Sequence, residues 1–169
     1  MLVYLCRHGI AAELGDAGVR TDAERPLTEE GYEKLRDAAK GYRKAMQRPK
    51  RIVTSPLLRA RQTAQVLGEI LGIDKTSEES TLLVPEADPV RTLAWLQGAL
   101  HDQANPGPLL LVGHEPHMGE FLGLLLTGGE RTAIPLKKGM LVGVEIEDFA
   151  SMAGRLVLAL TQREGRDLA

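Results

Sequence analysis

The sequence predicts a three-layer α/β/α sandwich around a mostly parallel central sheet, and three observations lead there. Two continuously apolar, β-prone runs, Val3-Tyr4-Leu5-Cys6 and Leu109-Leu110-Leu111-Val112, read as buried strands, the second covered on both faces. Segments with helical spacing alternate with these and with shorter strand-like runs, the order that builds a layered α/β fold. No repeat, low-complexity tract or linker interrupts the chain, so residues 1–169 are read as one domain.

Taken in order, the first strand runs into Arg7-His8-Gly9, and Gly9 permits a sharp turn or a close ligand approach. Ile10 to Pro26 is rich in Ala, Gly and Asp without a steady period and reads as an active-site loop. Thr28 is a plausible N-cap with Glu29 and Glu30 at the positive end of the helix dipole. Leu35, Ala38, Ala39 and Tyr42 then give a helical stripe to about Gln47, closed by Pro49. Arg51-Ile52-Val53-Thr54 is a second strand, and Ser55-Pro56 reads as the cap and first position of the next helix. That helix buries Leu57, Ala60, Ala64, Leu67 and Leu71 and ends at Gly72.

Thr76 to Ser80 is turn-like, and Thr81-Leu82-Leu83-Val84 reads as a short edge strand. Asp88-Pro89 opens a third helix carrying Val90, Leu93, Ala94, Leu96 and Leu100, with Trp95 as a packing residue. Asn105-Pro106-Gly107-Pro108 is a loop before the strand that ends at Gly113-His114. Met118 to Leu126 is a helix stopped by Gly128-Gly129. Met140 to Ile146 and Arg155 to Thr161 are closing strands around a loop at Asp148.

The composition narrows the function. Hydrophobic residues at 43% and charged residues at 26% are those of a soluble globular protein. A net charge of −2 argues against a general nucleic-acid or membrane-surface binder, though not against a local basic pocket. The single Cys6 excludes an intrachain disulfide and a Cys-rich zinc site, and inside the first strand it reads as a core residue. No leader precedes the first strand and no apolar run approaches the length of a membrane span, so the cytoplasm is the expected location.

Two strands end in a histidine, at His8 and at His114. In a mostly parallel sheet both ends fall on one edge, where the two imidazoles can face each other across a crevice. The strand before Ser55-Pro56 ends there too, and Arg59 lies in the first turn of the helix that follows. Guanidinium groups offer a fixed fork of donors to phosphate oxygens, and a helix start adds free N–H groups. Two arginines and two histidines around a helix terminus suit a tetrahedral, multiply charged group, phosphoryl above all. Arg61, two residues beyond Arg59, points elsewhere. Gln62 and Thr63 read as packing residues. His114-Glu115-Pro116-His117 holds two imidazoles and a carboxylate, but no second ligand cluster accompanies it, so no metal is expected.

Leu5-Cys6-Arg7-His8-Gly9, Thr54-Ser55-Pro56-Leu57-Leu58-Arg59-Ala60-Arg61-Gln62-Thr63-Ala64 and Val112-Gly113-His114-Glu115-Pro116 resemble the three signatures of the histidine phosphatase superfamily. That family has the phosphoglycerate-mutase-like fold. The short chain, the Arg25-Pro26-Leu27-Thr28 segment and the Arg-His-Gly-x-Ala-Ala start are most similar to the SixA-type phosphohistidine phosphatases. The resemblance implies His8 as nucleophile, forming a phosphohistidine intermediate with its second ring nitrogen held by a backbone carbonyl. It implies Arg7, Arg59 and His114 as ligands of the phosphoryl oxygens, with Arg25 as an additional arginine reaching the pocket. No cofactor is implied.

The sequence departs from larger members in lacking their acid-bearing Glu motif; Glu86, in about the right region, is the remaining candidate for a weak acid. Phosphohistidine has a labile nitrogen leaving group, so a dedicated acid matters less. The expected function is therefore metal-independent hydrolysis of phosphohistidine on a signalling or phosphotransfer protein. The alternatives are a small-molecule phosphomonoesterase on the same residues, or a phospho-protein binding module without catalysis.

Overall fold

The computed structural model describes residues 1–16, 18–73, 77–101, 107–129, 132–147 and 151–169. Expectations that fall on Thr76, the side chain of Leu100, Asn105-Pro106 and Asp148 lie outside the described residues. The strands are β1 (Leu2–Arg7), β2 (Arg51–Thr54), β3 (Glu78–Glu79), β4 (Leu109–Gly113), β5 (Leu141–Ile146) and β6 (Gly154–Leu160). The helices are α1 (Glu29–Ala45), α2 (Leu58–Leu71), α3 (Pro89–His101), α4 (His117–Thr127) and α5 (Gln162–Asp167).

The strands form a mixed sheet in the order β3-β2-β4-β1-β5-β6. β3, β2, β4 and β1 pair in parallel, whereas β5 and β6 add in antiparallel fashion. The alternation of side chains shows why the central strands had to be apolar throughout. Val3, Leu5, Leu109 and Leu111 face one core, together with Leu96 of α3 and Phe121 and Leu122 of α4. Tyr4, Cys6, Leu110 and Val112 face the other, with Leu35 and Tyr42 of α1 and Ala60 and Leu67 of α2. Cys6 is fully buried there, and burial pushes its thiol up to about 12, so it is an inert packing residue.

The caps at Thr28 and Gly72 form as expected: the Thr28 hydroxyl accepts from Gly31 N–H, and Gly72 is left-handed. Four expectations need correction. The edge strand is Glu78–Glu79, not Thr81 to Val84; residues Thr81–Leu83 instead make a 3₁₀ turn capped by Ser80. Leu83 is thereby driven into the core, while a two-residue exposed edge strand needs no apolar pattern, only the β2 backbone and the Arg51–Glu78 ion pair. Helix α2 begins at Leu58 without a side-chain cap, because its N-cap position is Leu57; the Ser55 hydroxyl accepts from Leu57 N–H at 3.3 Å and lies against His114. Val90 and Ala94 are exposed rather than part of the α3 stripe, and Thr92 is buried instead. Helix α5 follows β6 without having been expected. Its six residues, five polar and one glycine, show no period, and its one signal is a Thr161–Glu164 capping box.

α5 packs on α1 where two glycines meet. A Cβ on Gly41 would stand 1.9 Å from the Gly165 carbonyl oxygen, a contact that only backbone movement can relieve. Gly41→Ala is therefore expected to destabilise the protein by about 1–3 kcal/mol, read as a lower urea midpoint with unchanged slope. An unchanged midpoint would show that α5 can shift away freely.

The sheet order sets the site. Arg7 lies opposite Gly113, and Thr54 opposite Val112, so β1, β4 and β2 end at the same edge. The ladders continue one step further through His8 N–H to Gly113 O and Ser55 N–H to Val112 O, each 2.9 Å. Three chemically active residues are thus anchored on the rigid end of the parallel sheet. No helix among the described residues is long and apolar enough to cross a membrane.

Candidate active site

His8 is almost fully buried beyond the end of β1. Its Nδ1 lies 2.7 Å from the Gly9 carbonyl oxygen, which can only accept, so the ring proton sits on Nδ1. Nε2 keeps its lone pair, and Arg59 Nε donates toward it at 3.3 Å. Burial, with Arg59, Arg7 and Lys138 nearby, lowers the His8 pKa to about 3, against the opposing pull of the Gly9 bond. The imidazole is neutral at physiological pH, with a free nitrogen lone pair beside a guanidinium.

Arg59 reaches this point from the first turn of α2. Its backbone carbonyl accepts from Thr63 Oγ1 at 2.7 Å, and the same hydroxyl accepts from Gly9 N–H at 3.0 Å. Thr63 therefore ties the loop that orients His8 to the helix that carries Arg59. Gln62 does the same for the loop end, accepting from Leu27 N–H at 2.7 Å. Arg61 lies on the outer face against Glu79.

His114 continues β4, its ring centroid 5.0 Å from that of His8. Nε2 is 2.8 Å from Ser55 Oγ, while buried Nδ1 has no partner among the described residues. Burial together with His8 and Arg59 lowers its pKa to about 2, so this ring too is neutral. Arg7 donates to Leu136 O at 2.8 Å, and its buried Nε has no partner among the described residues. The segment after Leu136 closes the far side: Gly139 N–H bonds to the carbonyls of Arg7 and His8, and Tyr42 of α1 donates to Gly139 O at 2.8 Å.

Arg25 stands one step back. Its guanidinium bonds to Ala12 O at 2.6 Å and to the carboxylates of Asp22 and Glu13 at 2.9 Å each. Asp22, a residue with no periodic or motif context in the sequence, is the link. Its carboxylate also accepts from Arg59 at 2.9 Å, and its carbonyl from Arg59 at 2.7 Å. Burial alone would raise the Asp22 carboxyl, but the bonds from Arg25 and Arg59 outweigh it and hold the pKa below its ordinary value. Arg25 thus meets the pocket through Asp22 and Arg59. Glu86 is exposed in the turn before α3 and makes no hydrogen bond with the described residues. Glu115 caps locally, accepting from Leu136 N–H at 3.0 Å, and burial raises its pKa.

His117 is fully buried with Nε2 2.9 Å from Thr92 Oγ1 and its ring stacked on Phe121. Its geometry is that of a core histidine joining α4 to α3. Among the described residues no group of three or more His, Cys, Asp or Glu is arranged to hold a metal.

Two neutral imidazoles and two guanidinium groups therefore converge at the carboxyl edge of the sheet, with the unprotonated Nε2 of His8 beside the Arg59 guanidinium, an arrangement suited to an oxyanion. The sequence matches the model of the histidine phosphatase superfamily (branch 1) over residues 3–81. It is 30% identical over 128 residues to phosphohistidine phosphatase SixA of Escherichia coli, covering 76% of each chain. The chain belongs to the histidine phosphatase superfamily. It is also 35% identical over 145 residues to an uncharacterized protein of Picosynechococcus sp., covering 85% of this chain and 84% of that one. The solved structure of the protein histidine phosphatase SixA complexed with tungstate superimposes with a TM-score of 0.83 at 26% identity, covering 96% of this chain and 98% of that chain. The sheet and helices are those of the phosphoglycerate-mutase-like fold, and the protein is a SixA-like phosphatase.

Proposed function

We propose that this phosphatase removes the phosphoryl group from phosphohistidine on a protein, through a covalent phospho-His8 intermediate and without a metal. The observation that carries the reading is the neutral His8 ring, its Nδ1 proton spent on Gly9 O and its Nε2 lone pair facing Arg59. Nε2 attacks phosphorus as the substrate's P–N bond breaks, and the leaving imidazole keeps that electron pair and takes a proton from solvent. Water then attacks phospho-His8, releasing inorganic phosphate and restoring the ring. Arg7, Arg59 and His114 stabilise the charge on the transferring oxygens, the task a metal ion performs elsewhere.

Among the described residues no carboxyl group is placed as a dedicated acid, which favours a nitrogen leaving group. Glu86 is exposed and unattached, and Glu115 is spent on backbone N–H groups. An alkoxide would need a proton from a placed acid in the transition state; the phosphohistidine ring takes its proton from solvent on its second nitrogen and departs as neutral imidazole. The test is phosphate release from a phosphohistidine-bearing protein in excess chelator, beside phosphoserine and a sugar phosphate. The expected result is faster turnover of phosphohistidine, unchanged by chelator. Faster turnover of the phosphoesters would replace this reading with a small-molecule phosphomonoesterase, and loss of activity to chelator would overturn metal independence.

A further inference from the structure

Ser55 is fully buried at the end of β2, fastened to β4 by its N–H bond to Val112 O. A serine hydroxyl has one proton to give and two lone pairs to receive. Ser55 Oγ accepts from Leu57 N–H at 3.3 Å and lies 2.8 Å from His114 Nε2, with no other bond among the described residues. Two proton placements fit that contact. If His114 donated from Nε2, the buried hydroxyl would have nowhere to send its proton, and Nδ1 would carry a bare lone pair. If Ser55 donates to Nε2, the hydroxyl is satisfied and the ring proton lies on Nδ1. The first placement leaves two buried groups unpaired, the hydroxyl proton and the Nδ1 lone pair; the second leaves only Nδ1–H, and each unmade bond is costly in a buried site.

We infer that Ser55 is a positioning residue that fixes the tautomer of His114, so that His114 presents Nδ1–H to the phosphoryl group. This rests on the reading of the site as one of phosphoryl transfer. Both rings then carry their proton on Nδ1 with opposite results. At His8 that proton is tied to Gly9 O and the lone pair is offered; at His114 the lone pair is tied to Ser55 and the N–H is offered. A nucleophile and a donor, 5.0 Å apart between ring centroids, come from two identical side chains by way of their neighbours. A bare Nδ1 would instead repel the phosphoryl oxygens. Because burial keeps His114 uncharged at neutral pH, the position of its one proton decides whether it helps or hinders.

The experiment is ¹⁵N NMR of the imidazole rings in the full-length labelled protein at pH 7 without ligand, the His114 signals being those lost in His114→Asn. The expected result is a protonated Nδ1 and an unprotonated Nε2 at His114. In Ser55→Ala the proton is expected to move at least partly to Nε2, and kcat on phosphoramidate to fall on the order of 10²-fold. Ser55→Thr, which keeps the hydroxyl, is expected to retain the parent tautomer. A protonated Nε2 in the parent, or an unchanged tautomer in Ser55→Ala, would overturn the inference. The parent and Ser55→Thr spectra still decide it if the alanine variant does not fold. The spectra need no turnover, so a protein that hydrolyses nothing yet shows Nδ1–H would sink the proposed function and leave the tautomer assignment standing.

Discussion

His8→Ala is expected to lower kcat for phosphate release by at least about 10⁴-fold, the scale on which removal of a covalent nucleophile acts. The alanine variant keeps Arg7, Arg59 and His114, so phosphate binding survives while the attacking nitrogen is gone. Only direct attack by water remains. No acidic residue among the described ones is placed to activate that water: Asp22 is held by Arg25 and Arg59, and Glu115 by backbone N–H groups. The parent, mixed with labelled substrate and quenched in alkali, is expected to carry label on His8, and His8→Ala none. Retention of most of the parent rate by His8→Ala would end the covalent route. Burst label on another residue would move the nucleophile. The variant loses one bond to Gly9 O, while Thr63 still holds Gly9 N–H, so the loop is expected to stay folded.

The residues that meet at this site were legible to the extent that they sit on strand ends. Arg7, His8 and His114 terminate buried runs, and Arg59 follows the end of a third strand by a fixed step. Parallel order then brings them together whatever the loops do. Arg25 was legible only by resemblance, and its connection through Asp22 depends on the conformation of a long loop that no period reports. The same holds for Leu136 and Gly139, which act through backbone groups that any residue carries. Ser55 shows a different limit. Ser before Pro at a strand-to-helix junction is equally a cap and a buried hydroxyl, and only the proximity of His114, 59 residues away, decides between them. β3 and α5 escaped notice because each is short and polar. One is held by the neighbouring strand and the other by α1, so their own sequences carry little of the reason they form.

Burying three neutral histidines is expected to make the protein sharply acid-sensitive well above the carboxylate range. The folded-state pKa values are about 3 for His8, about 2 for His114 and about 4 for His117, lowered first by burial in each case. In the unfolded chain each returns to roughly 6.5. Between these limits the unfolded state binds a proton on each ring that the folded state refuses, so stability is fully present above pH ~6.5 and is lost as pH falls. Each histidine contributes a slope approaching 1.4 kcal/mol per pH unit, and three together about 4 kcal/mol per unit, a large share of a typical domain's stability within two units. Asp22, Glu30, Asp37 and Glu164, whose pKa values are also lowered, add to the loss only nearer their own range; Glu115, raised by burial, works against it. Urea unfolding at pH 7, 6, 5.5 and 5 measures the slope. His117→Asn, outside the phosphoryl pocket, is expected to reduce it by one proton, about 1.4 kcal/mol per unit, whatever it does to stability at pH 7. A stability flat between pH 6.5 and 5 would mean that the rings take up protons without unfolding. His8 would then be a cation in mild acid, with no lone pair on Nε2 to attack phosphorus.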